Sequence, residues 1–437
     1  MKRLITALLH YLVGRIITQY QPTIIGVTGN VGKTSMRNSL VSFLSQFTSV
    51  TTNYQNYNTE IGIPLSILGC TSPGKNIWKW LAVLWQGWVL SLGKKNDISN
   101  IWVIEVGIDH PGDMDKIISF LPFDIIVFGS VGEYPVHAEN FSDRDALIYE
   151  KSKILRGLKE EGQLIINADD PFIEHLYQKR RGVMTFGFTD KAFLRASDFT
   201  TKLSIRDTEE QWETYGTALV PQATCKISYQ GSTVPFYLDF VLGKHQMYTV
   251  LPTIALGLIE DMNLVDISQN MPSPSPIPGR MYVLEGAKDS LLIDDSYNAA
   301  PAAVFASLDS LAHCTVEGAR KIAILGDMKE LGDQSQDIHY QVGVYAGSRA
   351  DIVIGVGEES QYMIQGFQSV SQGSTYHFDI SEEAADCIEE MITSQDIVLV
   401  KGSQAMRMER VSSRILANKR YRSDVLPRQK DEWLEKI

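Results

Sequence analysis

The amino-acid sequence predicts an α/β protein built from two successive doubly wound units. Three observations predict this class. Short apolar runs alternate with amphipathic helical patterns, a glycine-rich turn joins one run to a helix, and the alternation resumes after a proline-rich segment. Continuous apolar strands separated by helices are typical of a parallel sheet covered on both faces. The length of 437 residues is sufficient for two or three domains.

The first unit begins after a short N-terminal helical pattern, which we assign to positions 1–22. Its predicted strands are apolar runs at 23–28, 101–106, 124–128 and 164–167. Between about 190 and 242, apolar and polar residues alternate around a Gly-Ser turn. Such alternation predicts a half-exposed antiparallel hairpin, so we expect a β-rich subdomain within the first unit.

The second unit follows the segment MPSPSPIPG at 271–279, in which four of nine residues are proline. This composition predicts an extended and fairly stiff linker. Beyond it, apolar runs at 291–293, 321–325, 351–354 and 396–400 predict a second, Rossmann-like sheet. We therefore place the domain boundary between 275 and 276.

Composition excludes several classes of protein. The chain is 44% apolar and 21% charged, which argues against collagenous, coiled-coil and mostly disordered structures. A net charge of −12 argues against nucleic acid as the main partner, although a local phosphate pocket stays open. The four cysteines are widely spaced, which predicts reduced, mostly buried thiols in a cytoplasmic protein. They are Cys70, Cys225, Cys314 and Cys387.

An apolar stretch at 77–92 contains four tryptophans. Its uncharged core, 80–92, is shorter than the roughly 20 residues that a membrane-spanning helix needs. One interpretation is a buried or loop-covering helix. The other is an interfacial helix that lies on a membrane, because tryptophan favours the headgroup zone. The tryptophans are Trp78, Trp80, Trp85 and Trp88.

Residues 24–35, IIGVTGNVGKTS, predict a phosphate-binding loop between a strand and a helix. Gly29 and Gly32 allow backbone N–H groups to approach phosphates, and the helix N-terminus favours negative charge. Lys33 would neutralise the β- and γ-phosphates, and Thr34 would reach Mg²⁺. The strict pattern G-x-x-x-x-G-K-[ST] is broken at Val27.

Three further residues are weaker candidates on sequence alone. Glu105 ends an apolar strand, where ligands of open α/β sheets bind, so it contacts a metal or is a solvated strand end. His137 lies in a loop and Lys151 on the following helix. Spacing alone does not distinguish either one from a surface residue.

The ordered motifs together resemble a known family. The sequence contains TGNVGKTS, NYNTEIGIPLSIL, EVGIDHPGDM, NADDP, PGRM, IDDSYNAAP, LGDMKELG and VKGS in this order. This set resembles the muropeptide (Mur) ligases, and among them most the MurF type, the UDP-N-acetylmuramoyl-tripeptide:D-alanyl-D-alanine ligases. The resemblance covers positions 24–416. Its TG-x-x-GKTS loop is the usual form in that family, which accounts for Val27.

The resemblance implies an ATP-dependent acid–amino-acid ligase of peptidoglycan precursor synthesis that uses ATP and Mg²⁺. ATP would convert a carboxylate to an acyl phosphate, and an amine would displace the phosphate. A central ATPase domain would span 23–275 and a closing domain 276–437. The partners would be a peptide or muropeptide acceptor and an amino acid or dipeptide. Two alternatives stay open: a ligase for a polyglutamate, cyanophycin-like or lipid-linked carboxylate, and a non-catalytic nucleotide-binding module.

The resemblance also assigns residues to the site. The catalytic group would be Lys33, Glu105, His137 and Lys151, with Lys151 carbamylated. Thr34, Glu105, His137 and Lys151 would ligate metal, and Asn58, Glu60 and Lys401 would contact substrate. His245 matches a domain-interface residue whose role we leave open. The nucleotide would be bound by Gly29, Asn30, Gly32, Lys33, Thr34, Ser35, Asn167, Arg280, Asp295, Tyr297 and Asn298.

Three features depart from the MurF pattern. Only about 23 residues precede the phosphate-loop strand, so we expect the family's N-terminal UDP-binding domain to be absent. Gln404 stands where the branch usually has an arginine. The tryptophan-rich insertion at 76–95 is also unusual. We hypothesise that the insertion and the N-terminal helix replace part of the missing domain and make peripheral membrane contact.

Overall fold

The computed structural model describes residues 2–53, 57–93, 98–133, 140–141, 143–316 and 318–430. These residues form two sheets, one of nine strands and one of six. The larger sheet is mostly parallel, with an antiparallel part at one end, and the smaller sheet is parallel except for one edge strand. The predicted fold class is therefore confirmed.

The nine-stranded sheet has the order β2-β3-β1-β4-β5-β6-β7-β8-β9. Strands β2 to β7 pair in parallel, and β7, β8 and β9 pair antiparallel. The β-rich region thus continues the same sheet. The strands are β1 Thr23–Thr28, β2 Val50–Thr52, β3 Ile101–Glu105, β4 Phe123–Phe128, β5 Leu158–Asn167, β6 Val183–Gly187, β7 Leu194–Ile205, β8 Leu219–Tyr229 and β9 Ser232–Asp239.

Helices cover both faces of this sheet because successive residues of β1 point to opposite sides. Ile24 packs in a core that includes the α1 residues Leu9 and Val13. Ile25 packs in a second core that includes Leu40 of α2. The helices are α1 Lys2–Tyr20, α2 Lys33–Leu44, α3 Gly62–Ile67, α4 Ile77–Ser91, α5 Asp113–Ile118, α6 Arg144–Ser152, α7 Glu209–Tyr215, α8 Lys244–Ile259 and α9 Leu264–Asn270.

The six-stranded sheet has the order β10-β11-β15-β12-β13-β14, and its strands are parallel except for β10. The strands are β10 Tyr282–Gly286, β11 Ser290–Asp295, β12 Lys321–Gly326, β13 Ile352–Val356, β14 Ser374–Phe378 and β15 Ile397–Lys401. The helices are α10 Pro301–His313, α11 Ser335–Ala346, α12 Ser360–Val370, α13 Ser381–Met391, α14 Glu409–Ile415 and α15 Arg422–Val425. Short 3₁₀ helices lie at Lys153–Gly157, Pro171–Leu176, Ala287–Asp289, Gly332–Gln334, Gln404–Met406 and Lys419–Tyr421.

The proline-rich segment joins the two sheets. Residues 271–276 form neither helix nor strand. The Ser273 hydroxyl accepts a hydrogen bond from the Asp239 N–H at 2.9 Å. At the other end, the Gly279 carbonyl accepts one from the Tyr297 N–H at 3.0 Å. The connection is therefore hydrogen-bonded to both units.

All four cysteines are free thiols. Cys225 and Cys314 are buried, Cys70 is half-buried and Cys387 is exposed. Burial raises the pKa of the Cys225 thiol to about 12 and that of the Cys314 thiol to about 11. Both buried cysteines therefore remain protonated at neutral pH and serve as small apolar core residues.

In the described part of the chain, no helix combines the length and the apolar character needed to cross a membrane.

Alanine substitutions at two helical glycines are expected to change the stability of the protein in opposite directions. A Cβ at Gly343, on α11, would overlap the Met363 carbonyl oxygen of α12. A Cβ at Gly14, inside α1, would meet no atom within 4 Å. We expect Gly343→Ala to lower the free energy of unfolding by about 1–3 kcal/mol. We expect the matched Gly14→Ala to raise it by about 0.5–1 kcal/mol. Urea unfolding of both variants measures the difference, and equal effects would contradict the helix contact.

Candidate active site

The phosphate loop adopts a backbone that glycine permits. Gly29 has φ 141° and Gly32, which precedes α2, has φ 79°. A Cβ at Gly29 would lie 3.2 Å from Gly129, so a side chain would also crowd the neighbouring strand end. Lys33 donates from Nζ to the carbonyl oxygens of Gly29 and Asn30, each at 3.2 Å. The loop therefore holds the lysine ammonium against its own backbone at the start of α2.

Glu105, at the end of β3, is buried beside the phosphate loop with 6% exposure. The Thr34 hydroxyl donates to its Oε2 at 2.9 Å, and the Asn58 amide donates to its Oε1 at 3.2 Å. Arg37 lies 3.4 Å from Oε2. A buried carboxylate needs such partners because desolvation alone is costly. The structure thus brings Thr34, Glu105 and Asn58 together.

Sequence reasoning missed two residues that hold Glu105 in place, Arg37 at its carboxylate and Asn53 at its backbone. The Asn53 side chain accepts from the Glu105 N–H at 2.8 Å and donates to the Glu105 carbonyl at 3.0 Å. Arg37 also donates to the Asn53 carbonyl at 3.0 Å. Arg37 follows Thr34 by three residues on α2, so the two share one helix face. That spacing is a signal that could have identified Arg37, whereas the loop position of Asn53 carries none.

Lys151, on α6, is almost fully buried at 2% exposure. Its Nζ donates to the Gly29 carbonyl at 3.2 Å, the same oxygen that accepts from Lys33. Burial first, and then the nearby charge of Lys33, hold the pKa of Lys151 well below its ordinary value, while Asp109 opposes this shift. Burial and the charge of Lys33 therefore both disfavour the charged form of Lys151 relative to that of an exposed lysine.

Lys33 is influenced by charges from both units. Burial lowers the pKa of Lys33, the Glu105 carboxylate raises it, and Arg280 lowers it. Arg280 follows the proline-rich segment, so a cation of the second unit lies within electrostatic range of the phosphate loop. Its guanidinium stacks over the Tyr297 ring at 4.6 Å. Arg280 therefore links the two halves of the candidate site.

The strand ends next to the phosphate loop are tied by hydrogen bonds. Asn30 donates from its backbone to Ser130 at 2.7 Å and from its side chain to Val131 at 3.1 Å. Asp170 accepts from the Val131 N–H at 2.6 Å. Asn167, at the end of β5, is buried and accepts from the Asp169 N–H at 2.9 Å. Asn167 thus orders its own turn, and contact with a nucleotide stays a prediction.

Glu60 lies at the rim of the site. Its carboxylate is 3.6 Å from the Lys116 ammonium, and its carbonyl accepts from His10 Nε2 at 2.8 Å. It lines a cavity of about 350 Å³ together with His110 and Asp113. This cavity adjoins Gly107, whose N–H donates to the Asn58 carbonyl at 2.9 Å. Glu60 therefore lines an opening, and Asn58 connects Gly107 at its edge to Glu105.

A second cluster lies at the ends of β11 and β15. Lys401 is 2% exposed and donates to the Asp295 carboxylate at 2.6 Å and to the Asn298 carbonyl at 3.0 Å. The same carboxylate accepts from the Ser307 hydroxyl at 2.7 Å and from the Met281 N–H at 3.2 Å. Here Lys401 joins two neighbouring strands, and its predicted contact with substrate stays a prediction.

Tyr297 and Asn298 form the turn after β11. The Tyr297 carbonyl accepts from Arg428 at 3.0 Å, and the Asn298 side chain accepts from the Ala299 N–H at 2.9 Å. The turn thus holds the ring on which Arg280 stacks. Of the other predicted site residues, Ser35 lies in the first turn of α2. His137 lies outside the described residues.

The comparisons with known proteins agree with this geometry. The family model described as "Mur ligase middle domain" matches residues 89–256, and that described as "Mur ligase, glutamate ligase domain" matches residues 279–404. The chain belongs to the Mur ligase family. The two matched ranges lie on either side of the proline-rich segment. As a Mur ligase, the chain is an ATP-dependent enzyme that forms a carbon–nitrogen bond.

Individual Mur ligases are similar over most of the chain. The UDP-N-acetylmuramoyl-tripeptide–D-alanyl-D-alanine ligase of Haemophilus influenzae is 27% identical over 401 residues, which is 89% of this chain and 76% of that protein. The Bacillus subtilis ligase of the same name is 24% identical and covers 89% of this chain and 74% of its own. The structure of MurF from Thermotoga maritima in complex with ADP matches with a TM-score of 0.72 at 24% identity, covering 94% and 83% of the two chains.

His245, at the start of α8, lies where the two units of this Mur ligase meet. A Cβ at the preceding Gly243 would contact both the His245 ring and the Ser310 hydroxyl of α10. Burial lowers the pKa of His245 to about 4, with Asp295 and Asp309 opposing the shift and Lys401 adding to it. The imidazole is therefore neutral at pH 7.

This shift predicts acid sensitivity. Between pH 6.5 and about 4 the unfolded chain binds a proton at His245 that the folded chain does not, so stability falls as the pH falls through that window. As the pH falls from 6.5 to about 4, we expect the free energy of unfolding of the wild type to decrease relative to that of His245→Gln. The comparison cancels other titrating groups, including Asp294, whose pKa burial raises to about 6. The control is His313→Gln, which changes an exposed histidine. Parallel pH profiles for wild type and His245→Gln would contradict the lowered pKa of His245.

Proposed function

We propose that the chain is a MurF-type ligase that joins D-alanyl-D-alanine to the peptide of a UDP-muramoyl tripeptide. The observation that supports this most is the position of Lys33, Glu105 and Lys151. All three lie around the phosphate loop at the carboxyl ends of the parallel strands, and the charge of Arg280 acts on Lys33. The similar proteins from Haemophilus influenzae and Bacillus subtilis carry this activity in their names. We propose that residues 23–275 form the ATPase domain and that residues 276–437 form the closing domain.

The reaction has two steps. The acceptor carboxylate attacks the γ-phosphorus of ATP, the bond to the β–γ bridging oxygen breaks, and ADP leaves. The amine then attacks the carbonyl carbon of the acyl phosphate, the carbon–oxygen bond to phosphate breaks, and the amine loses a proton. Negative charge develops on phosphate oxygens in both steps. Lys33, the backbone N–H groups at the start of α2 and Arg280 stabilise that charge by position and sign.

The residues present fit Mg²⁺. Thr34 and Glu105 supply hard oxygen donors 2.9 Å apart. Mg²⁺ is commonly held by one or two protein groups together with substrate phosphates. This agrees with the described residues, among which no group of three or more His, Cys, Asp and Glu side chains forms a metal cluster. Thr34 and Glu105 would hold the ion, which would neutralise phosphate charge. We propose His137 and Lys151 as ligands of a second Mg²⁺.

Lys151 is suited to carbamylation. Only a neutral amine attacks CO₂, and the pKa of Lys151 lies well below its ordinary value because the side chain is buried. The neutral Nζ attacks the carbon of CO₂, an N–C bond forms as one C=O π bond of CO₂ breaks, and the nitrogen loses one proton, so that a neutral amine becomes an anionic oxygen donor. That donor would carry a charge opposite to that of Lys33, which donates to the same Gly29 carbonyl. It also suits a hard cation.

We expect Lys33→Met to abolish ligation. The assay supplies ATP with pairs of acceptors and amines, including UDP-linked and UDP-free muropeptides, and detects products by mass spectrometry. Wild type should release phosphate only when both substrates of a productive pair are present. The turnover of Lys33→Met should be at least about 100-fold lower than that of wild type, because the negative charge on the phosphate oxygens in the transition state loses the Lys33 ammonium. The exposed Lys226→Met is the matched control.

Two results would overturn the proposal. Ligation of a different carboxylate alone would support a related ligase with another acceptor. Tight ATP binding without phosphate release for any pair would support a non-catalytic nucleotide-binding module.

We expect the carbamate to be visible directly. Incubation with ¹³C-bicarbonate should produce a carbamate signal in the ¹³C NMR spectrum of the wild type that is missing in Lys151→Ala. Short carboxylates should restore part of the activity lost in Lys151→Ala, because they supply the missing oxygen donor. Lys226→Ala, which changes an exposed lysine, serves as the control. Full activity of Lys151→Ala without any added carboxylate would refute the role.

A further inference from the structure

The outward face of α4 is apolar. Trp78, Leu81, Trp85, Trp88 and Leu92 follow one another at spacings of three and four residues, so they share one side of the helix. Their exposed fractions are 78%, 52%, 64%, 46% and 39%. The opposite side packs inward through Val83 and Leu90. A surface helix normally has polar residues on its outer face, and α4 has tryptophan and leucine there instead.

Helix α1 extends this surface. Leu4, Leu8 and Tyr11 are 66%, 40% and 61% exposed. The two helices touch, since a Cβ at Gly87 of α4 would lie 3.0 Å from a methyl group of Leu12. We call the eight exposed residues the tryptophan face: Leu4, Leu8, Tyr11, Trp78, Leu81, Trp85, Trp88 and Leu92.

The charge around the tryptophan face is the reverse of the charge of the whole chain. The protein has a net charge of −12, yet its first 96 residues contain nine Lys and Arg and a single acidic residue, Glu60. Neither α1 nor α4 contains Asp or Glu. Exposed cations on or beside the two helices include Arg3, Arg15, Lys75 and Lys79. An apolar stripe among cations is complementary to an anionic lipid surface.

We propose that the tryptophan face docks α1 and α4 in the interfacial plane of an anionic lipid bilayer. Tryptophan and tyrosine favour the headgroup zone, and leucine side chains reach the acyl boundary. The 15 residues of α4 lie along such a plane rather than across it, because a span needs roughly 20. A second copy is a poorer occupant, since a twofold interface would place the same cations opposite one another.

The docking surface is linked to the rim of the active site. His10 of α1 donates from Nε2 to the Glu60 carbonyl at 2.8 Å, and Glu60 belongs to the segment that contains Asn58. The Asn58 amide contacts Glu105. Docking would therefore fix α1, the helix that contacts the segment of Asn58 and Glu60, at the membrane surface. The proposal rests on the exposed face and its charge, so it stands or falls independently of the ligase reaction.

The test is flotation of the full chain with vesicles. One set contains phosphatidylcholine only, and the other contains phosphatidylcholine with phosphatidylglycerol. We expect wild type to float with the anionic vesicles and Trp85→Glu/Trp88→Glu to bind at least roughly tenfold more weakly. The control is Ile205→Glu/Tyr237→Glu, which changes two residues of the β-rich region that are 75% and 72% exposed. The control should float like wild type.

Charge is tested separately. Arg3→Gln and Lys79→Gln should each weaken binding to anionic vesicles by about fivefold, and added salt should reduce the wild-type affinity. ATP binding and thermal melting of every variant should match wild type, because all the substituted side chains are exposed.

Three outcomes would overturn the proposal. The first is no flotation of wild type with either vesicle. The second is equal flotation of wild type and Trp85→Glu/Trp88→Glu. The third is a wild type that does not bind vesicles and forms a dimer in sedimentation velocity, when the Trp85→Glu/Trp88→Glu variant is a monomer. The last result would assign the face to a second copy of the chain.

Discussion

The buried carboxylate of Glu105 is the charge on which the geometry of the active site depends. It accepts from Thr34 and Asn58, lies 3.4 Å from Arg37, and its backbone is held by Asn53. Because an unpaired buried charge is costly, these contacts hold α2, β3 and the segment that contains Asn58 in one arrangement. The oxygen atoms that suit Mg²⁺ are therefore in place before a phosphate arrives, which is the condition for electrostatic preorganisation.

Several cationic side chains lie at or near the phosphate loop beside this carboxylate. Lys33 and Lys151 share the Gly29 carbonyl, and Arg280 acts on Lys33 from the second unit. Such an arrangement is unfavourable by itself, and it is suited to a polyphosphate that carries several negative charges. Burial and the nearby charge of Lys33 lower the pKa of Lys151, so the charged form of this lysine is disfavoured relative to that of an exposed lysine. The carbamylation that we propose for Lys151 requires a lowered pKa of this kind.

Much of the fold could be predicted from local pattern. Strand β1 has the predicted bounds, Thr23–Thr28, because an apolar run bounded by a glycine turn is a local signal. Gly29 and Gly32 have the positive φ that such a turn requires. The antiparallel edge strand β10 and the three-residue β2 were not predicted, because their pairing depends on neighbours distant in the chain.

The sequence by itself determined the fold class, the phosphate loop and, through ordered motifs, the family. Only the tertiary structure decided which charges meet. It placed Arg37 and Asn53 at Glu105, and it paired Lys401 with Asp295, 106 positions away, because β11 and β15 are neighbours in the sheet. It also placed Trp78, Trp85 and Trp88 of α4 outward, whereas Trp80 packs against the core. Hydrophobic periodicity is a local property, whereas contacts between distant residues follow from strand order and helix packing.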